Sequence, residues 1–323
     1  MVAPVLLFFF VLSSLSGLAA GGYRFLEGVT RTAIKFELYK DLIVIPAKIN
    51  DTLNVRLILD TGTRSMLLYG KRFAGLQNTS KNKHVKVAGW GSPQGVDAAV
   101  SFPNAIRIGH IQGESLGIAV VTSRSLFDDK PNIDGIIGYE LFVKFVVEIN
   151  YKAKTIYLFE RMPYQHAAGF TSIPLEINRA MPQVASSIVL NDKTKVNLRL
   201  LVDTGSSLGL TLFSKDQFGA YASAEQQPVG IGLNGIIRGF DLYLKHVFLG
   251  DLKVKSISSH LVSVTEHPDE KFTFCGSIGA AFLKKHIVIF DYPSSKMFLL
   301  SYKGAKAAIH DARAALPTEA LPL

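Results

Sequence analysis

Residues 55–63 read Val-Arg-Leu-Ile-Leu-Asp-Thr-Gly-Thr, and residues 198–206 read Leu-Arg-Leu-Leu-Val-Asp-Thr-Gly-Ser. Each is an apolar run of strand length, buried on both faces, that delivers an aspartate, Asp60 or Asp203, to its end. A carboxylate in that position is costly unless hydrogen bonds compensate it. The neighbours suit that need. Gly62 and Gly205 let backbone N–H groups come close, and Thr61 and Thr204 bring hydroxyls able to brace a neighbouring lobe.

The likeness extends beyond these nine residues. Ile133–Phe159 (IDGIIGYELFVKFVVEINYKAKTIYLF) lies over Phe274–Leu300 (FCGSIGAAFLKKHIVIFDYPSSKMFLL) without a gap, 141 residues on. Asp60 and Asp203 stand 143 residues apart, so both blocks recur in the same order and at nearly the same spacing. The chain is two copies of one unit. Arg161-Met162-Pro163 interrupts the strand pattern between them. The expected division is 21–162 for the first lobe, 163–303 for the second and 304–323 for a short helical or frayed tail.

Within each copy the pattern is β. Ile34–Lys40 alternates apolar and polar residues, as does part of Phe170–Asn178. Asn50-Asp51 and Asn191-Asp192 mark turns, and short helices are expected near Glu140–Val143 and Ala280–Lys284. The fold class expected is all-β: two homologous barrel-like lobes about a pseudo-twofold axis, with a cleft between them.

These residues resemble the pepsin and retropepsin group of aspartic peptidases over about residues 34–302. Besides the two Asp-Thr-Gly turns, each copy has the group's second signature, two hydrophobic positions and a glycine: Ile136-Ile137-Gly138 and, departing at its first position, Ser277-Ile278-Gly279. The resemblance implies that this segment threads across the Asp-Thr-Gly loop. It also implies an endopeptidase in which Asp60 and Asp203 share a proton and activate water, with no metal and no cofactor. Substrate, a peptide or protein, would bind as an extended strand under a closing hairpin. Gly230–Leu244, with Gly232, Leu233, Asn234 and Gly235 at its centre, resembles the glycine-rich flap of retroviral enzymes. Val87–Val100, with Trp90 and Gly91, holds the matching place in the first copy. Thr63 and Ser206 follow the two glycines. A hydroxyl donated to the carboxylate would lower its pKa and set an optimum near about pH 4–6, whereas a hydroxyl that only satisfies the turn backbone would not. The alternative function is a peptide-binding protein that keeps the fold without turnover.

Other signals bound the setting. Ala3–Leu12 is apolar and is followed by a run ending Ala19-Ala20, which reads as a cleaved signal peptide over residues 1–20, with an uncleaved anchor as the alternative, although no Lys or Arg precedes it. The expected location is therefore the bacterial periplasm or envelope, or the medium, with no stable membrane insertion once the signal is removed. The single cysteine, Cys275, permits no intramolecular disulfide and suits a bacterial exported protein. The net charge of +9 is spread out; Lys81, Lys83 and Lys86, in a polar loop, come nearest to a cluster, so no nucleic-acid partner is expected. One chain supplies both half-sites, which suits a monomer.

Two motif matches lack their context. Gly230, Gly232 and Gly235 spell the dinucleotide fingerprint G-x-G-x-x-G but no helical pattern follows. Gly205, Ser207 and Gly209 fit the hydrolase elbow G-x-S-x-G, yet overlap the Asp-Thr-Gly turn. The eight histidines have no zinc-ligand spacing.

Overall fold

The computed structural model describes residues 11–12, 22–76, 83–88, 95–122, 133–161, 165–166, 168–213, 218, 220, 222–232, 235–255, 257–262 and 273–302. Their architecture is all-β, in three sheets. The first lobe is a ten-stranded sheet in which Leu42–Ile49 pairs both with Leu53–Leu59 and, through Lys48↔Arg107 and Ile49↔Ile106, with Val96–Ile108. That second pairing closes the sheet on itself. The second lobe is likewise a ten-stranded sheet, built around Met181–Leu190, Lys195–Asp203 and Gly276–Gly279. Two single-turn α-helices, Tyr139–Phe142 and Ala280–Leu283, lie where the sequence placed them, and Lys71–Leu76 adds a 3-10 helix that the sequence reading did not expect.

Local chemistry explains the strands and their turns. From Ile45 to Ile49 the strand alternates buried and exposed residues, as period-2 geometry requires of a half-buried ladder. Asn50 and Asp51 both take positive φ (48° and 53°), the tight hairpin conformation that short polar side chains tolerate best. The second copy differs. Asn191-Asp192 opens a longer loop, in which Lys193 takes φ 73° and the Leu190 N–H reaches Thr194 O at 2.9 Å. The polar loop expected around Lys83 and Lys86 is instead the strand Lys83–Ala88, paired with Val96–Ile108; alternation at Val85 and Val87 overrides the lysines.

The third sheet joins the lobes. Its six strands run Thr171–Pro174, Lys296–Ser301, His286–Asp291, Val146–Asn150, Thr155–Phe159, Arg31–Lys35. At its centre the two copies pair antiparallel, Glu148 opposite Ile289. Those two residues are equivalent in the repeat, so the pseudo-twofold axis passes between them. Phe142 packs on Phe290 (ring centroids 5.3 Å) and on Tyr292 (5.4 Å), within one apolar core that runs through both lobes. Lys284 Nζ also bridges to Asp41 Oδ2 at 2.6 Å. Cys275 is partly buried against that core.

Candidate active site

Each Asp-Thr-Gly turn is held by a strand that arrives from much later in the chain. Gly135–Ile137 lies parallel to Leu53–Leu59 and antiparallel to Leu67–Tyr69; Gly276–Gly279 does the same between Lys195–Asp203 and Leu210–Phe213. The Asp60 N–H donates to Ile137 O at 2.8 Å. The following N–H groups clamp the turns from below: Tyr139 N to Thr63 O (3.1 Å) and Ala280 N to Ser206 O (2.7 Å). A Cβ on Gly138 would strike the Asp60 and Thr63 carbonyl oxygens, and one on Gly279 would lie 2.6 Å from Ser206 O. The glycine ending each signature is thus there because backbone crosses backbone.

The two turns meet. Thr61 Oγ1 donates to Val202 O (2.7 Å) in the opposite lobe and accepts from Thr204 N (2.9 Å). Thr204 Oγ1 returns the arrangement, donating to Leu59 O (2.8 Å) and accepting from Thr61 N (3.0 Å). Four buried bonds therefore lock the loops across the axis. Asp60 Oδ1 accepts from Gly62 N (2.6 Å), and Asp203 Oδ1 from Gly205 N (2.9 Å). The carboxyl groups are within hydrogen-bonding reach of one another, and both aspartates are 0% exposed.

Burial sets the electrostatics. It pushes the Asp60 carboxyl up to about 7, against the pull of the Gly62 N–H. Asp203 is raised well above the ordinary carboxylate range, first by burial and then by the charge of Asp60. Ionising both at once is disfavoured, because two like charges would then face each other in a buried place. Below them lie the repeat-equivalent tyrosines Tyr151 and Tyr292, both fully buried, whose phenols are held protonated by burial and in lesser part by the charge of Asp203.

The hydroxyls of Thr63 and Ser206 do not serve the carboxylates, although the Ser206 backbone N–H donates to Asp203. Thr63 Oγ1 donates, at 3.5 Å, to Ser65 O, and Ser206 Oγ accepts from Leu208 N at 3.3 Å. The hydroxyls satisfy turn backbone, and the ground for a lowered carboxyl pKa falls with them. Of the hairpin residues, Gly232 and Gly235 face each other as the last pair between Gln227–Gly232 and Gly235–Asp241. Trp90, Gly91, Leu233 and Asn234 lie outside the described residues. The fingerprint glycines Gly230, Gly232 and Gly235 sit in this antiparallel hairpin, not in a strand-to-helix turn. A strand, Leu210–Phe213, follows Gly209, where the hydrolase elbow needs a helix. Both lobes carry a hairpin at this place, with Val87 opposite Val96 in the first. Ile231 of the second hairpin packs against the first lobe's apolar cluster, so that hairpin reaches across to the other lobe.

The comparisons with known proteins fit this geometry. Residues 45–141 match the family model for aspartyl proteases. That match covers the first lobe alone, including its Asp-Thr-Gly turn and the segment that crosses it. An aspartic proteinase from Irpex lacteus shares its fold, with a TM-score of 0.55 and 15% identity over 86% of this chain and 99% of that one. No curated protein matches the chain in sequence. What motif reading did not anticipate is Glu140, one residue after the Tyr139 clamp. The residue is half-buried with its carboxyl turned inward, which raises that group to about 7, and it accepts from Met66 N at 3.3 Å, bracing the strand after the first turn. The signal was its asymmetry: the second copy has Ala281 there.

The closeness of the two turns makes one substitution informative. A Cβ on Gly205 would collide with the Asp60 carboxyl, so Gly205→Ala must push the two acids apart. The expected result is a folded protein with activity reduced at least about a hundredfold, on the scale that misplaced reacting groups cost. Wild-type turnover in that variant would mean the carboxyl groups need no such closeness.

Proposed function

We propose that the chain is an endopeptidase in which Asp60 and Asp203 hydrolyse peptide bonds by activating water. The observation that carries this reading is the pair of buried carboxyl groups in mutual contact on the axis between two lobes. In the reactive state the pair bears one proton, mainly on Asp203. Ionised Asp60 takes a proton from water as the oxygen attacks the peptide carbonyl carbon, while Asp203 hydrogen-bonds the carbonyl oxygen. When the tetrahedral intermediate collapses, the C–N bond breaks and the leaving nitrogen takes its proton from the dyad. No acyl-enzyme is formed. Thr61, Thr204, Gly62 and Gly205 fix the acids, and the two hairpins would hold an extended substrate by main-chain hydrogen bonds.

We further propose export to the bacterial envelope or medium and action as a monomer. These rest on the apolar run Ala3–Leu12 and on both half-sites lying in one chain. Among the described residues no helix is long and apolar enough to cross a membrane.

Purified protein assayed on a denatured-protein and peptide library from pH 3 to 8 tests the reading. Cleavage blocked by a pepstatin-type transition-state mimic supports it; peptide binding without cleavage supports the alternative of a binding protein. Because burial raises both carboxyls, the acid limb of the kcat/KM profile is expected to lie above the ordinary carboxylate value of about 4 and towards 7. An acid limb below about pH 3 would show that burial does not govern the pair.

A further inference from the structure

The lobes present the same sheet face beneath equivalent hairpins, but they line it with different chemistry. In the first lobe, residues in register across five strands run Val44, Ile58, Ile136, Leu67, Ala119. All are buried and apolar, in one cluster with Val87 and Val96 of the hairpin. The matching register in the second lobe runs Gln183, Leu201, Ser277, Thr211, His260. Residues directly opposite on paired strands share a face. That face is the one where Leu201 packs with Val229 and Ile237 of the second hairpin. Leu201 stands two residues before Asp203, so both side chains emerge on that side and the row lies one step from the dyad.

The row is buried and unsatisfied. Gln183, Thr211 and Ser277 are each 1% exposed, and Gln183 Oε1, Thr211 Oγ1 and Ser277 Oγ have no hydrogen-bond partner among the described residues. Gln183 Nε2 donates to Thr273 Oγ1 at 2.6 Å, which fixes the amide and leaves Oε1 as an acceptor. At the outer end His260 Nδ1 lies 3.2 Å from Asp241 Oδ1, so those two groups face each other. Buried polar atoms without partners are rare and costly, and the first lobe fills the same places with hydrocarbon. Three of them in one row indicate a partner that arrives with the substrate.

Resting on the peptidase reading, we propose that Gln183, Thr211 and Ser277 form a specificity subsite for a neutral carboxamide side chain, asparagine or glutamine, of the bound peptide. The two hydroxyls can donate to the amide oxygen, and Gln183 Oε1 can accept from the amide nitrogen. The first-lobe row takes an aliphatic side chain on the other side of the scissile bond.

Affinities of non-hydrolysable peptide isosteres, paired to differ only as Gln against Leu on one side of the central isostere or the other, test this without requiring turnover. Wild-type protein is expected to favour Gln by at least about tenfold on one side only and Leu on the other, since an unfilled polar site penalises the hydrocarbon. Converting the row to its first-lobe counterpart (Gln183→Val, Thr211→Leu, Ser277→Ile) should reverse the first preference and leave the second. If that triple variant does not fold, Ser277→Ala and Thr211→Val singly should each reduce the Gln preference several-fold. Equal preference on both sides, an unchanged preference in the variants, or no binding of any isostere would overturn the proposal. Selective binding with no cleavage of natural peptides would overturn the peptidase reading alone, and cleavage without the Gln preference would overturn the subsite alone.

Discussion

Asp203→Asn is expected to lower kcat/KM by at least about a thousandfold, as loss of a positioned acid–base group does. The same substitution should shift the melting temperature relative to wild type increasingly in the variant's favour as pH rises from 4 to 8. The sign follows from linkage. The folded carboxyl pKa values lie above the unfolded value near 3.8, so the dyad's contribution to stability is fully present below that value. It is lost as pH rises through the folded value, about 7 for Asp60. Asparagine keeps an oxygen for the Gly205 N–H but removes one titrating group and its repulsion. Parallel calorimetry at pH 4, 6 and 8 reads the trend. A difference that is flat, or that moves towards wild type with rising pH, would mean the two acids are not the buried pair described above.

The second large effect is structural. Thr204→Val removes a hydroxyl that donates to Leu59 O and accepts from Thr61 N, depriving two buried backbone groups of the opposite lobe of that partner. Losing two such bonds should cost about 2–4 kcal/mol in urea unfolding. Thr204→Ser retains the hydroxyl and should recover most of that loss. In the valine variant kcat should fall more than KM rises, because the bracing fixes the acids and does not itself hold substrate. A destabilisation under about 0.5 kcal/mol would show that the cross-lobe bonds contribute little.

Much of this was legible in the chain itself, and the reasons are specific. The duplicated blocks around Asp60 and Asp203 and around Gly138 and Gly279 are local strings, and sequence order preserves them. The cross-lobe hydroxyl role of Thr61 and Thr204 followed because a buried turn must satisfy its polar groups. What failed to show is what depends on orientation. Whether Thr63 Oγ1 turns towards a carboxylate or towards Ser65 O is a rotamer choice, and no periodicity records it. Lys83–Ala88 looked like loop because Lys83, His84 and Lys86 make half of it polar, although Val85 and Val87 supply the alternation. The Ser277 departure was visible as a single odd residue. Its meaning emerged only when strand register put it beside Thr211 and in line with Gln183.

The continuous chain through the central six-stranded sheet has an evolutionary corollary. Where two identical copies of a half-sized gene product assemble, every mutation appears twice, and both halves of the groove must change together. Here each half can mutate alone, as Ile136 and Ser277 show at equivalent places. A polypeptide reads differently from its amino end than from its carboxyl end. Only a groove with unlike halves can tell those two orientations apart.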